Sequence, residues 1–192
     1  MKTKTFQKTN KIALLAMMTG LVVIAQFISM WIRFGTFSIT LAHIPIVIGA
    51  ALLGPLAGGW LGLVFGIVVL LTGDAAPFLA VNVLGTIVTV LLKGALAGLC
   101  AGLVYRALRK KDETIAILLA SIVSPVVNTG LFIAGCYVFF LPTLTEWANG
   151  ENVMTFILVS LVTLNFFIEL SSTLVLSPVI TRLITIGRKE KI

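Results

Sequence analysis

The chain is poor in charged residues, histidine and cysteine. Of its 192 residues, 11% are charged and 59% are hydrophobic, and it contains one His and two Cys. Soluble domains have about a quarter of their residues charged, so this composition excludes an ordinary soluble protein. Cys100 and Cys136 fall within apolar stretches and are expected to pack as small hydrophobic residues. With His43 alone and two distant cysteines, no metal-ligand cluster is predicted, and we expect no cofactor.

Sequence signatures of catalysis and nucleotide hydrolysis are also missing. The chain has no His-Glu-x-x-His, no Gly-x-Ser-x-Gly and no phosphate-binding Gly-x-x-x-x-Gly-Lys-Ser/Thr motif. We therefore expect a protein that is not an enzyme. If it takes part in an ATP-driven process, a partner has to hydrolyse the ATP.

The net charge of +7 comes from basic residues in three groups. Four lie in residues 1–11, four in residues 106–111 and four in residues 182–191, which together make 12 of the 14 Lys and Arg. If all three groups face the cytoplasm, they follow the positive-inside rule. We then expect membrane lipid, and no nucleic acid, as the partner of these charges.

Six apolar stretches predict the fold. About 20 helical residues, at about 1.5 Å each, cross a bilayer. We predict an all-α integral membrane protein with six transmembrane helices and both termini cytoplasmic, forming a single domain over residues 1–192 with basic tails at 1–11 and 187–192. The second and third spans are short, and Pro178 is expected to kink or end the last one. The predicted spans are 12–32, 39–53, 55–71, 81–105, 114–141 and 153–186.

Glycines recur every four residues in two of these stretches. The two series are Gly54, Gly58, Gly62 and Gly66, and Gly94, Gly98 and Gly102. A stripe of small residues lets another helix backbone approach closely. We interpret both stripes as internal helix packing, and a contact between chains is the alternative.

Two charged residues lie deep inside apolar stretches. Lys93 is expected about 18 Å from the outer end of the fourth span, and Glu169 about 24 Å from the outer end of the sixth. A charge in hydrocarbon costs about 3 kcal/mol or more, so each residue needs a partner or a polar cavity. Two interpretations stay open, namely a Lys93–Glu169 ion pair that ties two helices and a site that holds a ligand or ion.

Other polar residues can converge on the same region. Asn165 lies one turn from Glu169 on the same helix face, Asn128 is midway along the fifth span, and Asn82 is near the outer mouth of the fourth. His43, near the outer start of the second span, is expected to form interfacial hydrogen bonds or to contact a ligand. The candidate substrate-binding residues are Arg33, His43, Asn82, Lys93, Asn128, Asn165 and Glu169.

Several segments together carry a family resemblance. They are the run LAHIPIVIGAALLGPLAG at 41–58, the run PVVNT at 125–129, and Asn165 and Glu169 ahead of LSP at 176–178. With six short-looped spans in under 200 residues, the chain resembles a substrate-binding S component of an energy-coupling factor (ECF) vitamin transporter. The resemblance covers nearly the whole chain.

The resemblance implies a subunit in a prokaryotic cell membrane that binds a vitamin or a precursor with high affinity. Its implied partners are a transmembrane coupling protein and two ATPase subunits. Docking in the family uses small residues on the first helix, which here are Ala13, Ala16 and Gly20. The His-Ile-Pro start of the second span is similar to members assigned to pantothenate, and the wider group includes folate members. The expected substrate is therefore pantothenate or a folate-like vitamin, with Arg33 or Lys93 holding one carboxylate.

Two other functions stay open from the residues alone. Glu169 can serve as the proton site of an autonomous proton-coupled carrier of a small polar solute, with Lys93 as its modulator. The glycine stripes also fit a membrane scaffold or assembly factor. Uptake by the chain alone would favour the carrier. Replacements of Lys93 and Glu169 that harm folding only would favour the scaffold.

Overall fold

In the part of the chain that it describes, the computed structural model is helical apart from one short antiparallel pair of strands. It describes the backbone of residues 2–34, 37–38 and 40–189, and the side chains of residues 9–32, 40–163 and 165–186. The prediction of an all-α protein is confirmed for this part of the chain. Its elements are α1 (Lys2–Trp31), β1 (Arg33–Phe34), β2 (Phe37–Ser38), α2 (His43–Leu53), α3 (Pro55–Thr72), α4 (Ala76–Leu79), α5 (Val83–Leu108), α6 (Glu113–Phe139), α7 (Leu141–Trp147), α8 (Val153–Phe156), a π-helical segment (Ile157–Thr163), α9 (Leu164–Val175) and α10 (Ser177–Lys189).

Five stretches among the described residues are long and apolar enough to cross a membrane. They are Thr9–Trp31, Pro55–Thr72, Val83–Leu108, Glu113–Phe139 and Val153–Val175. The predicted second span forms the apolar helix α2, which has only 11 residues. At about 1.5 Å per residue it is about 16 Å long, roughly half the hydrocarbon thickness.

The connections contain more helix than the sequence predicted. The expected loop at 72–80 includes α4, and the one at 142–152 overlaps α7. A proline lies in the first turn of each helix, where its missing N–H has no intrahelical partner to lose. The long last stretch breaks as predicted, because α9 ends at Val175 and Pro178 lies in the first turn of α10.

Side-chain caps fix the starts of the two longest interior helices. The Asn82 Oδ1 accepts a hydrogen bond from the Gly85 N–H at 2.9 Å at the start of α5. The Asp112 Oδ1 accepts one from the Ile115 N–H at 3.0 Å at the start of α6. At the end of α3, Gly73 adopts a left-handed conformation with a φ of 81°, which glycine tolerates without a Cβ clash.

The two glycine stripes meet along the contact between α3 and α5. A Cβ built on Gly62 would meet the carbonyl oxygen of Gly94, and one built on Gly98 would meet the carbonyl oxygen of Gly58. Farther along, a Cβ on Gly66 would lie 2.8 Å from the Val90 carbonyl oxygen. The backbones therefore touch directly, which confirms internal helix packing as the role of the stripes.

Two hydrophobic clusters flank an interior cavity. One includes Val22, Ile46, Leu61 and Phe65 from α1, α2 and α3. The other is built around Phe78, which makes edge-to-face ring contacts at 4.9–5.8 Å with Phe132, Phe140 and Trp147. Both clusters contribute rings to the walls of this space, so its shape depends on apolar packing.

Candidate substrate-binding site

A cavity lies between the helices, with an empty volume of about 830 Å³ including space open to the outside. Its walls are mostly apolar with a few polar groups, as in pockets that bind small molecules. The lining residues are Gln26, Thr40, Phe65, Val69, Asp74, Ala75, Phe78, Thr86, Thr89, Val90, Lys93, Asn128, Thr129, Phe132, Cys136, Phe140, Leu161, Val162, Asn165, Phe166 and Glu169.

The Lys93 ammonium faces two aromatic rings. Its Nζ lies 5.4 Å from the centre of the Phe132 ring and 5.9 Å from the centre of the Phe65 ring. Among the described side chains, no carboxylate lies within 4 Å of this ammonium and no hydrogen bond reaches it. The ion pair with Glu169, one of the two predicted alternatives, is therefore not formed.

Glu169 contacts the segment before α2 and the first residue of α2. Its Oε1 accepts a hydrogen bond from the Thr40 backbone N–H at 3.2 Å. Its Oε2 lies 3.5 Å from the His43 Nε2, which is ion-pair distance without hydrogen-bond geometry. The His43 Nδ1 lies 2.8 Å from the Ser124 Oγ on α6. This network connects α9, α2 and α6 behind the cavity wall.

A second polar contact joins α1 to the segment that follows α3. The Gln26 Nε2 donates a hydrogen bond to the Asp74 Oδ2 at 2.9 Å. Both side chains are buried and line the cavity. This contact fixes the position of the Gln26 amide group. The amide oxygen of Gln26 therefore needs a hydrogen-bond donor other than Asp74.

Four acceptor atoms in the cavity wall are buried without a hydrogen-bond partner among the described residues. They are the Gln26 Oε1, the Thr89 Oγ1, the Asn128 Oδ1 and the Asn165 Oδ1. A buried polar atom left unpaired costs about 1–3 kcal/mol, and most such atoms in proteins find a partner. Their concentration in one cavity indicates a place for a ligand with hydrogen-bonding groups.

Four of the seven residues predicted to bind substrate line this cavity. They are Lys93 on α5, Asn128 on α6, and Asn165 and Glu169 on α9. The two residues of α9 are one turn apart and face the same side, as their spacing predicted. The structure thus brings together the polar residues of three apolar spans, as the charge pattern required.

The other three predicted residues have different positions. His43 is fully buried behind Glu169 and does not line the cavity. Asn82 also lies outside the lining, and its side-chain oxygen caps α5. Arg33 belongs to strand β1, and its side chain lies outside the described residues.

Several polar residues of the lining were not predicted from the sequence, among them Gln26, Asp74, Thr86 and Thr89. Gln26 had a usable signal, because it is a strongly polar residue in the middle of the first apolar span. Threonine carries no such signal, since its hydroxyl can bond to the backbone of its own helix. Thr86 does so, donating to the Asn82 carbonyl oxygen at 2.7 Å.

The small residues predicted for docking lie on the outer side of α1. Ala13, Ala16 and Gly20 are exposed, and a Cβ built on Gly20 would meet nothing within 4 Å. The opposite side of the same helix is buried through Val22 and Gln26. Helix α1 therefore contacts the cavity with one face and leaves the small-residue face without a partner in the described part of the chain.

Comparisons with known proteins identify similar families and folds. The family model for the substrate-specific component of ECF transporters matches residues 10–181. The structure of ThiT from Listeria monocytogenes aligns with a TM-score of 0.67 and 20% sequence identity, covering 95% of this chain and 97% of the ThiT chain. At that identity the likeness shows the fold alone. A search of curated protein sequences gave no significant match.

Proposed function

Because this chain belongs to the family of ECF transporter substrate-specific components, we propose that its cavity is the high-affinity site of a membrane-embedded vitamin-binding subunit. The observation that carries the proposal is the polar wall of this cavity, inside a bundle of membrane-length helices. Lys93 and four buried acceptor atoms in that wall lack protein partners among the described residues. Structural residues of a membrane bundle would be expected to satisfy one another.

The substrate that we rank first is pantothenate, and a folate-like vitamin ranks second. Pantothenate has one carboxylate, for which Lys93 in the cavity wall offers an ammonium. It also has hydroxyl and amide N–H groups for acceptors such as the Asn128 and Asn165 oxygens. The start of α2 at His43 provides the sequence likeness to members assigned to pantothenate.

For its partners, we propose a transmembrane coupling protein and two ATPases. The chain has no nucleotide-binding motif of its own, so if ATP drives the import, such subunits have to hydrolyse it. The exposed face with Ala13, Ala16 and Gly20 supports docking there, because small residues let a partner helix come close. The three basic groups support a location in a prokaryotic cell membrane with both termini in the cytoplasm.

Reconstitution into proteoliposomes tests this function. We expect uptake of labelled vitamin when the coupling protein, both ATPases and enclosed ATP are present, and no uptake by the chain alone. Uptake by the chain alone under a proton gradient would instead support an autonomous carrier with Glu169 as the proton site. If no vitamin binds to the purified chain and the full complex imports none, the proposed function is wrong.

A further inference from the structure

The contacts inside the cavity restrict the chemistry of its ligand. We propose that the ligand is a small organic monoanion whose carboxylate binds Lys93 and whose hydroxyl or N–H donors bind the side-chain oxygens of Gln26, Asn128 and Asn165. This inference rests on the proposed function, because it takes the cavity as the substrate site. It adds the charge, the donor pattern and the orientation of the bound molecule.

The anionic group follows from Lys93. It is the only basic residue in the cavity lining within the described part of the chain. The ammonium lies over the ring faces of Phe65 and Phe132, and no carboxylate of the described side chains lies within 4 Å of it. A buried ammonium is unfavourable without a counter-ion and hydrogen-bond acceptors. A ligand carboxylate supplies both.

The two acidic residues of the wall favour a cationic ligand less than Lys93 favours an anionic one. The Glu169 carboxylate already accepts from Thr40 and lies at ion-pair distance from His43. The Asp74 carboxylate accepts from Gln26. A cation would have to compete with these protein contacts and would also lie in a cavity that contains the Lys93 ammonium.

The donors of the ligand follow from the unpaired oxygens. The Gln26 Oε1 is fixed because the amide nitrogen of the same side chain is bonded to Asp74. The oxygens of Asn128 on α6 and Asn165 on α9 are also without donors among the described residues. Three acceptors on three helices match a molecule with several hydroxyl or N–H groups. An acid without such groups would leave these oxygens unpaired.

Matched pairs of acids and neutral derivatives test the charge requirement on the purified wild-type chain. Pantothenate is compared with panthenol, biotin with biotinamide and lipoate with lipoamide, and thiamine is the cationic probe. Equilibrium binding and thermal stabilisation are measured for each compound. We expect at least one donor-bearing acid to bind about 30-fold or more tightly than its neutral derivative. Lipoate, which has no hydroxyl or N–H group, should bind weakly.

The variant Lys93→Met tests the position of the carboxylate. We expect it to weaken binding of the acid about 30-fold or more and to change binding of the neutral derivative less than about threefold. The control Lys110→Met removes an exposed lysine of the α5–α6 connection and should change neither. Because the wild-type comparison needs no variant, a failure of Lys93→Met to fold leaves the charge test intact.

Several outcomes would overturn this inference. Tightest binding by thiamine or by a neutral derivative would contradict the monoanion, and tightest binding by lipoate would contradict the donor pattern. Equal losses for the acid and its neutral derivative in Lys93→Met would contradict the assigned orientation. In each of these cases a vitamin still binds, so the proposed function stands. Absence of any binding, together with no uptake by the full complex, would overturn both.

Discussion

Replacing Gly62 by alanine tests whether direct backbone contact holds α3 against α5. A Cβ at this position would meet the carbonyl oxygen and carbonyl carbon of Gly94, which are backbone atoms and cannot rotate away. The helices would have to separate by about 1 Å to accept the methyl group, in an interior packed as densely as an organic crystal. The clash therefore affects the whole interface and not one side chain.

The expected cost follows from two opposing effects. A gap of about 0.5–1 Å forfeits a quarter to a half of the dispersion attraction at each contact, and overpacking of a well-packed interior costs about 1–3 kcal/mol. Alanine gains up to about 1 kcal/mol over glycine in helix propensity. The overpacking range describes net losses in folded proteins, so we expect Gly62→Ala to lower the free energy of unfolding by about 1–3 kcal/mol.

Thermal unfolding in detergent, with Gly59→Ala as the matched control, measures this effect. Gly59 lies on the same helix, and a Cβ there would be 3.7 Å from the nearest atoms, which is ordinary contact. For a chain of this length, about 1 kcal/mol corresponds to about 2–4 °C in Tm. We expect Gly62→Ala to lower Tm by about 2–12 °C, and Gly59→Ala to leave it unchanged or raise it. Equal Tm values for the two variants would refute the direct backbone contact.

Three further predictions concern a cap, a buried network and the outer face of α1. Asn82→Ala should lower stability by about 0.5–2 kcal/mol through loss of the cap and should change ligand affinity less than about threefold. A large loss of affinity would instead show that Asn82 contributes to ligand binding. His43→Leu should cost about 1–3 kcal/mol in thermal unfolding because the buried Ser124 hydroxyl loses its hydrogen-bond partner. His43→Gln keeps a polar group and should cost less; equal costs would contradict the role of this contact. Gly20→Leu should reduce ATP-dependent uptake about tenfold with unchanged ligand binding, because the larger side chain blocks close helix contact. The control Gly130→Leu, at another open position, should not reduce uptake. Equal uptake by both variants would contradict docking through this face of α1.

Features that depend on local sequence were predictable from the chain. Hydropathy predicted where the membrane-length helices lie, since each needs only a run of apolar residues. The spacing of Gly58 and Gly62, and of Gly94 and Gly98, predicted a helix contact because residues four apart share a face. Charge burial alone indicated that Lys93 and Glu169 belong to a polar interior region.

Features that depend on the rotation and packing of helices were not predictable. The side chain at ion-pair distance from Glu169 is that of His43, which is distant in sequence, and no local pattern distinguishes this contact from one with Lys93. The aromatic rings that surround the Lys93 ammonium, including Phe132, look like ordinary apolar residues in the sequence. Asn82 is a different case, because it was predicted to bind substrate near the outer mouth of the fourth span, whereas its side-chain oxygen caps the start of α5.

The π-helical segment Ile157–Thr163 changes the direction in which the residues after it point around the helix axis. A π-helix has more residues per turn than an α-helix, so over seven residues the chain lags by roughly a third of a turn. In an uninterrupted α-helix, Asn165 and Glu169 would point in a different direction relative to α8. The direction in which both side chains point thus depends on the backbone winding several residues before them. Deleting one residue within this segment would rotate them about the helix axis without altering any residue of the cavity wall after it.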